Sequence, residues 1–125
     1  MYFLDTCAML GYLKGEKGFD KIVEGGAFVV SRFQLMELYY ITLKEADEAL
    51  AEKYYEAFSR YEGEIEERTL KNAMKARLWL QKKGMNISYV DAIGYQYANE
   101  KDLLFVTSDP SFRKLENVEF VPEER

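Results

Sequence analysis

The sequence predicts an α/β domain in which a parallel central sheet of four to five strands is flanked by helices. Short, wholly apolar runs (Tyr2 to Leu4, Ala27 to Val30, Leu103 to Val106) alternate with longer stretches of helical spacing. Strands without a polar face are covered on both sides, which is the habit of parallel sheets. The chain has 125 residues, of which 48% are hydrophobic and 31% charged, the size and balance of one folded domain. No internal repeat or linker divides it, so residues 1–125 are read as a single unit.

Each element follows in turn. Tyr2-Phe3-Leu4 reads as a buried strand that ends at Asp5. Thr6 to Leu13 reads as a short helix stopped by Gly15 and Gly18, and Lys14 to Lys21, rich in charge and glycine, as a mobile lip. Gly25-Gly26 leads into the second strand, Ala27 to Val30. Ser31 with Gln34 has the S-x-x-Q form of a capping box and opens a helix that runs to Leu43 or beyond. Glu45 to Arg60 is helical in content, with Leu50, Tyr54 and Phe58 on one face. Glu64-Ile65-Glu66 is a candidate edge strand. Thr69 reads as the cap of a helix that extends to Lys83 and closes at Gly84. Ser88 with Asp91 repeats the capping pattern and opens a helix to Asn99. Leu103 to Val106 and Val118 to Val121 read as the last strands.

Composition removes several chemistries. There is no histidine, so Ser-His-Asp triads, Cys-His pairs and His-ligated zinc or iron are excluded. The one cysteine, Cys7, permits neither an internal disulfide nor a thiolate cluster; it reads as a small core residue in an intracellular, cytoplasmic chain. No apolar run approaches the ~20 residues of a membrane span. Met1 to Asp5 lacks the basic start and long apolar stretch of a signal peptide. The net charge is −5, so any nucleic-acid binding must rest on local cations.

The 22 acidic residues are mostly surface acids set among other charges. Four have no charged residue within three positions on either side: Asp5, Glu37, Asp91 and Asp109. An acid in an apolar run is costly to bury without a compensating partner. Each has an ordinary explanation. Asp5 can cap the helix at Thr6, Asp91 can complete the Ser88 box, and Asp109 before Pro110 fits a cap with proline at the first helical position. Glu37 can pair with Arg32 or Lys44. Four such acids, two of them at strand ends where parallel sheets carry their sites, also fit one shared hard cation. Mg²⁺ or Mn²⁺ takes oxygen ligands and needs no histidine.

The strand ending in Asp5-Thr6, the helix bearing Glu37-Leu38, the run from Ser88 through Asp91 to Ala98, and the run from Leu104 through Thr107-Ser108-Asp109 to Phe112 together resemble the PIN domain. Within it they resemble the small VapC-type toxins of bacterial and archaeal toxin–antitoxin pairs. The resemblance spans nearly the whole chain. It implies a parallel sheet flanked by helices, metal-dependent cleavage of RNA leaving a 5′-phosphate, a cognate antitoxin and a homodimer. It makes Asp5, Glu37, Asp91 and Asp109 the acidic quartet, with Asp5 and Asp91 closest to metal. Thr6, Thr107 and Ser108 are candidates to orient water or carboxylates, or else make only local backbone bonds. Lys75 and Lys82, in register with Arg68, are candidate phosphate contacts or a solvated face. Tyr39, Tyr40, Tyr54, Tyr55, Tyr95 and Tyr97 are read as core first, and as a dimer or antitoxin surface second.

The alternative is a non-catalytic PIN-like module that binds RNA or protein. A phosphatase of the haloacid-dehalogenase type would want Asp-x-Asp at the first strand, where Cys7 holds the second position. A receiver domain would want an acidic pair there, and Asp5 stands alone.

Overall fold

The computed structural model describes residues 1–123. Its single sheet has four parallel strands, β1 (Tyr2–Leu4), β2 (Phe28–Val29), β3 (Leu104–Thr107) and β4 (Val118–Phe120), in the order β2-β1-β3-β4. Successive side chains of a strand point to opposite faces. Phe3 and Phe105 therefore enter one core, beneath α5 (Glu67–Lys82) and α6 (Tyr89–Glu100). Leu4 and Val106 enter a second core with α1 (Thr6–Leu13), α3 (Arg32–Glu45) and α4 (Glu48–Ser59). All four side chains are fully buried. Helices cover both faces, as apolar strands require.

The strand order also places the site. From β1 the chain moves outward one way to β2 and later returns on the other side as β3. The crevice at such a reversal, beyond the carboxyl ends of the strands, is where open parallel sheets hold ligands. Leu4 lies opposite Val106, so the residues that follow, Asp5 and Thr107, meet at the mouth of that crevice.

Three expectations are corrected. The end of the lip is helical: Asp20 and Lys21 open α2 (Asp20–Gly25), with Ile22 and Val23 against the second core and Gly26 (φ +73°) closing the helix. Phe19, 1% exposed, anchors its start. Second, Glu64 to Glu66 forms no strand. Val30 makes one parallel bridge to Glu62, with Gly63 N–H donating to Val30 O at 2.8 Å. Ile65 then turns into the first core and draws the chain off the sheet edge. Third, α5 begins three residues earlier than a Thr69 cap would start it, with Glu66 at the N-cap position and making no side-chain capping bond, because Thr69 faces inward. Its hydroxyl donates to Glu100 Oε1 at 2.6 Å instead of capping.

Gly94 sets how closely α6 approaches the sheet. A Cβ there would lie 2.8 Å from Phe3 Cε1 and 3.2 Å from Phe105 Cε1, and would also strike the Gln34 amide. Alanine gains about 1 kcal/mol of helix propensity over glycine, while overpacking a core costs about 1–3 kcal/mol. With three neighbours to displace, the packing cost wins. Gly94→Ala is expected to lower the urea midpoint without changing the slope; a midpoint equal to or above the parent's would mean that α6 shifts freely.

Candidate metal centre

Asp5 is the best-held member of the site. It is 3% exposed and caps α1, with Oδ1 accepting the Thr6 N–H at 2.8 Å. Oδ2 accepts the Thr107 hydroxyl at 3.0 Å and the Cys7 thiol at 3.3 Å. Three donors from two segments about a hundred residues apart thus fix both oxygens.

Glu37 and Asp91 arrive on helices locked to each other. Ser31 caps α3 by accepting the N–H groups of Phe33 and Gln34. The Gln34 side chain does not fold back onto the cap's own N–H, as in a simple capping box. It accepts from the Ser31 hydroxyl and donates from Nε2 to Val90 O at 2.9 Å. Gln34 is fully buried. Its bond joins the turn of α3 before Glu37 to the residue before Asp91. Asp91 in turn is seated by its N–H on the Ser88 hydroxyl at 3.0 Å. One carboxylate oxygen each of Asp5, Glu37 and Asp91 then lie within 4.8 Å of one another.

None of these acids forms a salt bridge among the described residues. Arg32 pairs instead with Glu62 at 3.0 Å, and Lys44 lies over the Tyr40 ring, so the pairing explanation for Glu37 falls. Burial, reinforced by the charge of Asp91, pushes Asp5 up to about 8, although the Thr6, Cys7 and Thr107 bonds pull the other way. Asp91 is also raised, first by burial and then by the charges of Glu37 and Asp109, against hydrogen bonds from Ser88. Oxygen ligands on one octahedral Mg²⁺ lie about 3 Å apart when adjacent and about 4 Å when opposite. Three uncompensated carboxylates at this spacing fit a single hard divalent ion.

Asp109 is not part of the convergent set. Its Oδ1 accepts the Ser111 N–H at 2.9 Å and caps the 3-10 turn Pro110–Phe112, so its capping explanation holds. It stands close enough to act on Asp91 by charge. Asp5 and Asp91 show that capping and convergence coexist at one residue. Thr107 is buried and oriented as a support for Asp5 should be. Thr6 serves Asp5 through its N–H, while its hydroxyl reaches Gln34 O at 3.5 Å. Ser108 donates its N–H to Cys7 Sγ at 3.3 Å. Lys75 and Lys82 are exposed on α5, outside the set, and make no salt bridge among the described residues.

Two supporting residues escape sequence reasoning. Gln34 shows only as half of a capping box, because nothing local reveals its reach to α6. Cys7 reads as core, although its place in the first turn after Asp5 is a signal. Burial and the Asp5 charge push its thiol up to about 12, so it stays protonated and serves as a donor.

The raised carboxyls give the metal-free fold a definite pH dependence. Asp5 keeps its proton in the folded state up to about pH 8, while the unfolded chain loses it near 3.8. Between those values the folded state binds more protons, so stability falls as pH rises. The thermal midpoint in EDTA is expected to drop by several degrees between about pH 5 and pH 8. In Asp5→Asn that slope should flatten. Equal slopes in the two proteins would count against a buried, proton-holding Asp5.

Comparison with known proteins agrees with this architecture. A chain of VapBC2 from Rickettsia felis, bound to a DNA fragment from the promoter, superposes with a TM-score of 0.77 at 18% identity, covering 98% of each chain. VapC20 of Mycobacterium tuberculosis, a sarcin-ricin loop cleaving toxin, gives 0.74 at 18% identity over 98% of this chain and 100% of its own. DNA-bound VapBC from Salmonella typhimurium gives 0.76 at 19% identity over 97% and 96%. At such identities these likenesses establish the fold. No curated protein matches. The family model of the PIN domain matches residues 2–118, and the chain belongs to the PIN domain family.

Proposed function

We propose that the chain is a metal-dependent endoribonuclease that hydrolyses RNA phosphodiester bonds and acts as the toxin of a toxin–antitoxin pair. The observation that carries this reading is the meeting of Asp5, Glu37 and Asp91 in one crevice, with no salt bridge to any of them among the described residues. The fold shared with toxin–antitoxin proteins, one of them described as a sarcin-ricin loop cleaving toxin, supports the substrate class and the antitoxin partner. The chain offers separate exposed apolar residues on α3 (Met36, Tyr40, Leu43) and on α5 (Met74, Leu78, Trp79). They support two protein contacts, an antitoxin and a second copy. Of the six tyrosines considered for such surfaces, Tyr97 is core and Tyr40 is 62% exposed. Among the described residues no helix is long and apolar enough to cross a membrane.

Asp5, Glu37 and Asp91 would hold Mg²⁺ or Mn²⁺. A bound ion supplies neutralising charge for the phosphodiester and its leaving oxygen, and makes water a competent nucleophile near neutral pH. The rest falls to the chain. Asp5, with both oxygens held, fixes the position of the site. Thr107 and Cys7 keep its carboxylate from rotating, and Gln34 keeps Glu37 and Asp91 at a set separation. Glu37 and Asp91, only partly buried, face the entering strand. To Asp109, the neighbouring carboxylate left outside the convergent set, we assign the role of accepting a proton from attacking water.

Cleavage of a fluorescent single-stranded RNA in Mg²⁺, Mn²⁺ or EDTA is the direct test. The parent should cut with metal and not with EDTA, and Asp91→Asn should lose at least about a hundredfold in rate. No cleavage with either metal would leave a non-catalytic RNA- or protein-binding module as the better reading. Millimolar Mg²⁺ or Mn²⁺ should also raise the thermal midpoint, because the ion binds only the folded state; saturation at about a hundred times Kd stabilises by about 2.7 kcal/mol. Asp91→Asn should remove most of that rise. A parent midpoint unmoved by metal would argue against a shared site.

A further inference from the structure

We infer that the cleft beside Asp109, walled by Arg113 and Phe120, is a subsite for the nucleotide that adjoins the scissile phosphate of an RNA strand. The inference rests on the ribonuclease reading and assigns a part of the substrate path outside the acidic set. The cleft holds about 370 Å³ and is lined by Ser108, Pro110, Arg113, Phe120, Pro122 and Glu123. That is within the size range of small-ligand pockets. Ser108 and Pro110 flank Asp109 in the chain, so the cleft adjoins the acidic crevice on its Asp109 side. Two sets of contacts tie it there. The Ser108 N–H donates to Cys7 Sγ at 3.3 Å, and that thiol donates to Asp5 Oδ2 at 3.3 Å. Phe120 lies opposite Thr107 in the β3–β4 register, and the Thr107 hydroxyl donates to the same Asp5 oxygen at 3.0 Å.

Place and charge together select the occupant. A phosphodiester held at the acids carries its neighbouring nucleotides across the rim of the crevice. The chain has a net charge of −5, so those phosphates need a local cation at the rim. Arg113 is such a cation. It closes the turn Pro110–Phe112, with its N–H donating to Pro110 O at 3.1 Å, and Phe112 before it is fully buried. A 3-10 turn rises about 2 Å per residue, so Arg113 stands roughly 8 Å along the chain from Asp109. Its guanidinium lies over the Phe120 ring, 5.5 Å from the centroid, and makes no salt bridge among the described residues. Glu123, the acid in the lining, is not paired with it. Lying over a ring occupies the face of the guanidinium and leaves its N–H edge for the paired oxygens of a phosphate. Pro110, Phe120 and Pro122 add an apolar wall for a sugar and base. A free anion would use the guanidinium alone, whereas a nucleotide uses both the guanidinium and the wall.

The test follows a fluorescein-labelled single-stranded RNA of mixed sequence by anisotropy, on the Asp91→Asn chain in EDTA, so that no cutting intervenes. Arg113→Ala should weaken binding by between about threefold and thirtyfold. It should also reduce the slope of log affinity against log salt by about 0.7, one phosphate's share for a single strand. Arg113→Lys should keep the slope and lose only part of the affinity. With Asp91 intact, Arg113→Ala should still gain thermal midpoint from Mg²⁺ as the parent does, since Arg113 lies outside the ligating set. An alanine variant with parental affinity and slope would overturn the subsite. So would a weaker affinity at an unchanged slope, or a loss of the Mg²⁺ response together with the affinity, since each assigns Arg113 to the fold. If the parent cleaves RNA and Arg113→Ala changes nothing, the subsite fails and the ribonuclease reading stands. If the slope falls as expected but the parent cleaves no RNA with either metal, the ribonuclease reading fails and the phosphate contact stands. No RNA binding by any of these chains overturns the subsite.

Discussion

Three carboxyl groups meet in one crevice where they cannot all ionise cheaply, and among the described residues none has a salt-bridge partner to offset the charge. The register of β1 against β3 brings Asp5 to Thr107, and the strand order brings α3 and α6 to the same end of the sheet. The single bond from Gln34 to Val90 then links the two helices where Glu37 and Asp91 leave them. Gly94 permits that link, because any side chain there would collide with the Gln34 amide and the Phe3 ring. Sheet register, helix docking and glycine placement thus converge on one constraint, which is holding like charges at a ligating distance.

The same constraint explains which parts of the site were legible in the sequence. A buried acid cannot keep charged neighbours on its own element, since those would be buried too. Isolation in an apolar run is therefore a local trace of burial, and it marks Asp5, Glu37 and Asp91 together. It marks Asp109 as well, for another reason: the short turn at Pro110 is apolar on its inner side, where Phe112 is buried. Charge isolation reports burial of the surroundings, and only tertiary structure separates the ligating acid from the capping one.

The fold was legible wherever local chemistry agreed with tertiary context. Caps at Ser31 and Ser88 and the apolar strands fall where expected, because capping geometry and apolar runs are local properties. The failures are places where tertiary contacts override local signals. Thr69 has a capping side chain but spends it on Glu100 across the α5–α6 interface. Ile65, flanked by glutamates, alternates like an edge strand yet packs, half-buried, against the first core. The charged stretch around Ile22 hides a short helix, entered from Phe19 lodged against Gly11, two residues that no window of periodicity connects.

The supports around the crevice are also unequal, and that inequality bears on how it would work. Asp5 has donors on both oxygens and is almost wholly buried, so it has one geometry. Asp91 is less enclosed, and its hydrogen bonds come from its own helix end. Among the described residues Glu37 has no salt-bridge partner, and the position of α3 sets where it stands. A site that must take up an ion and also meet a moving substrate is better served by one rigid ligand and two adjustable ones than by three of either kind. A fully rigid trio would leave the repulsion of the empty state unrelieved, and a fully mobile one would spread the charges and lose the position. The buried Thr107 hydroxyl and the Cys7 thiol, both beside Asp5 and neither beside the two outer acids, put the rigidity where the sheet can enforce it.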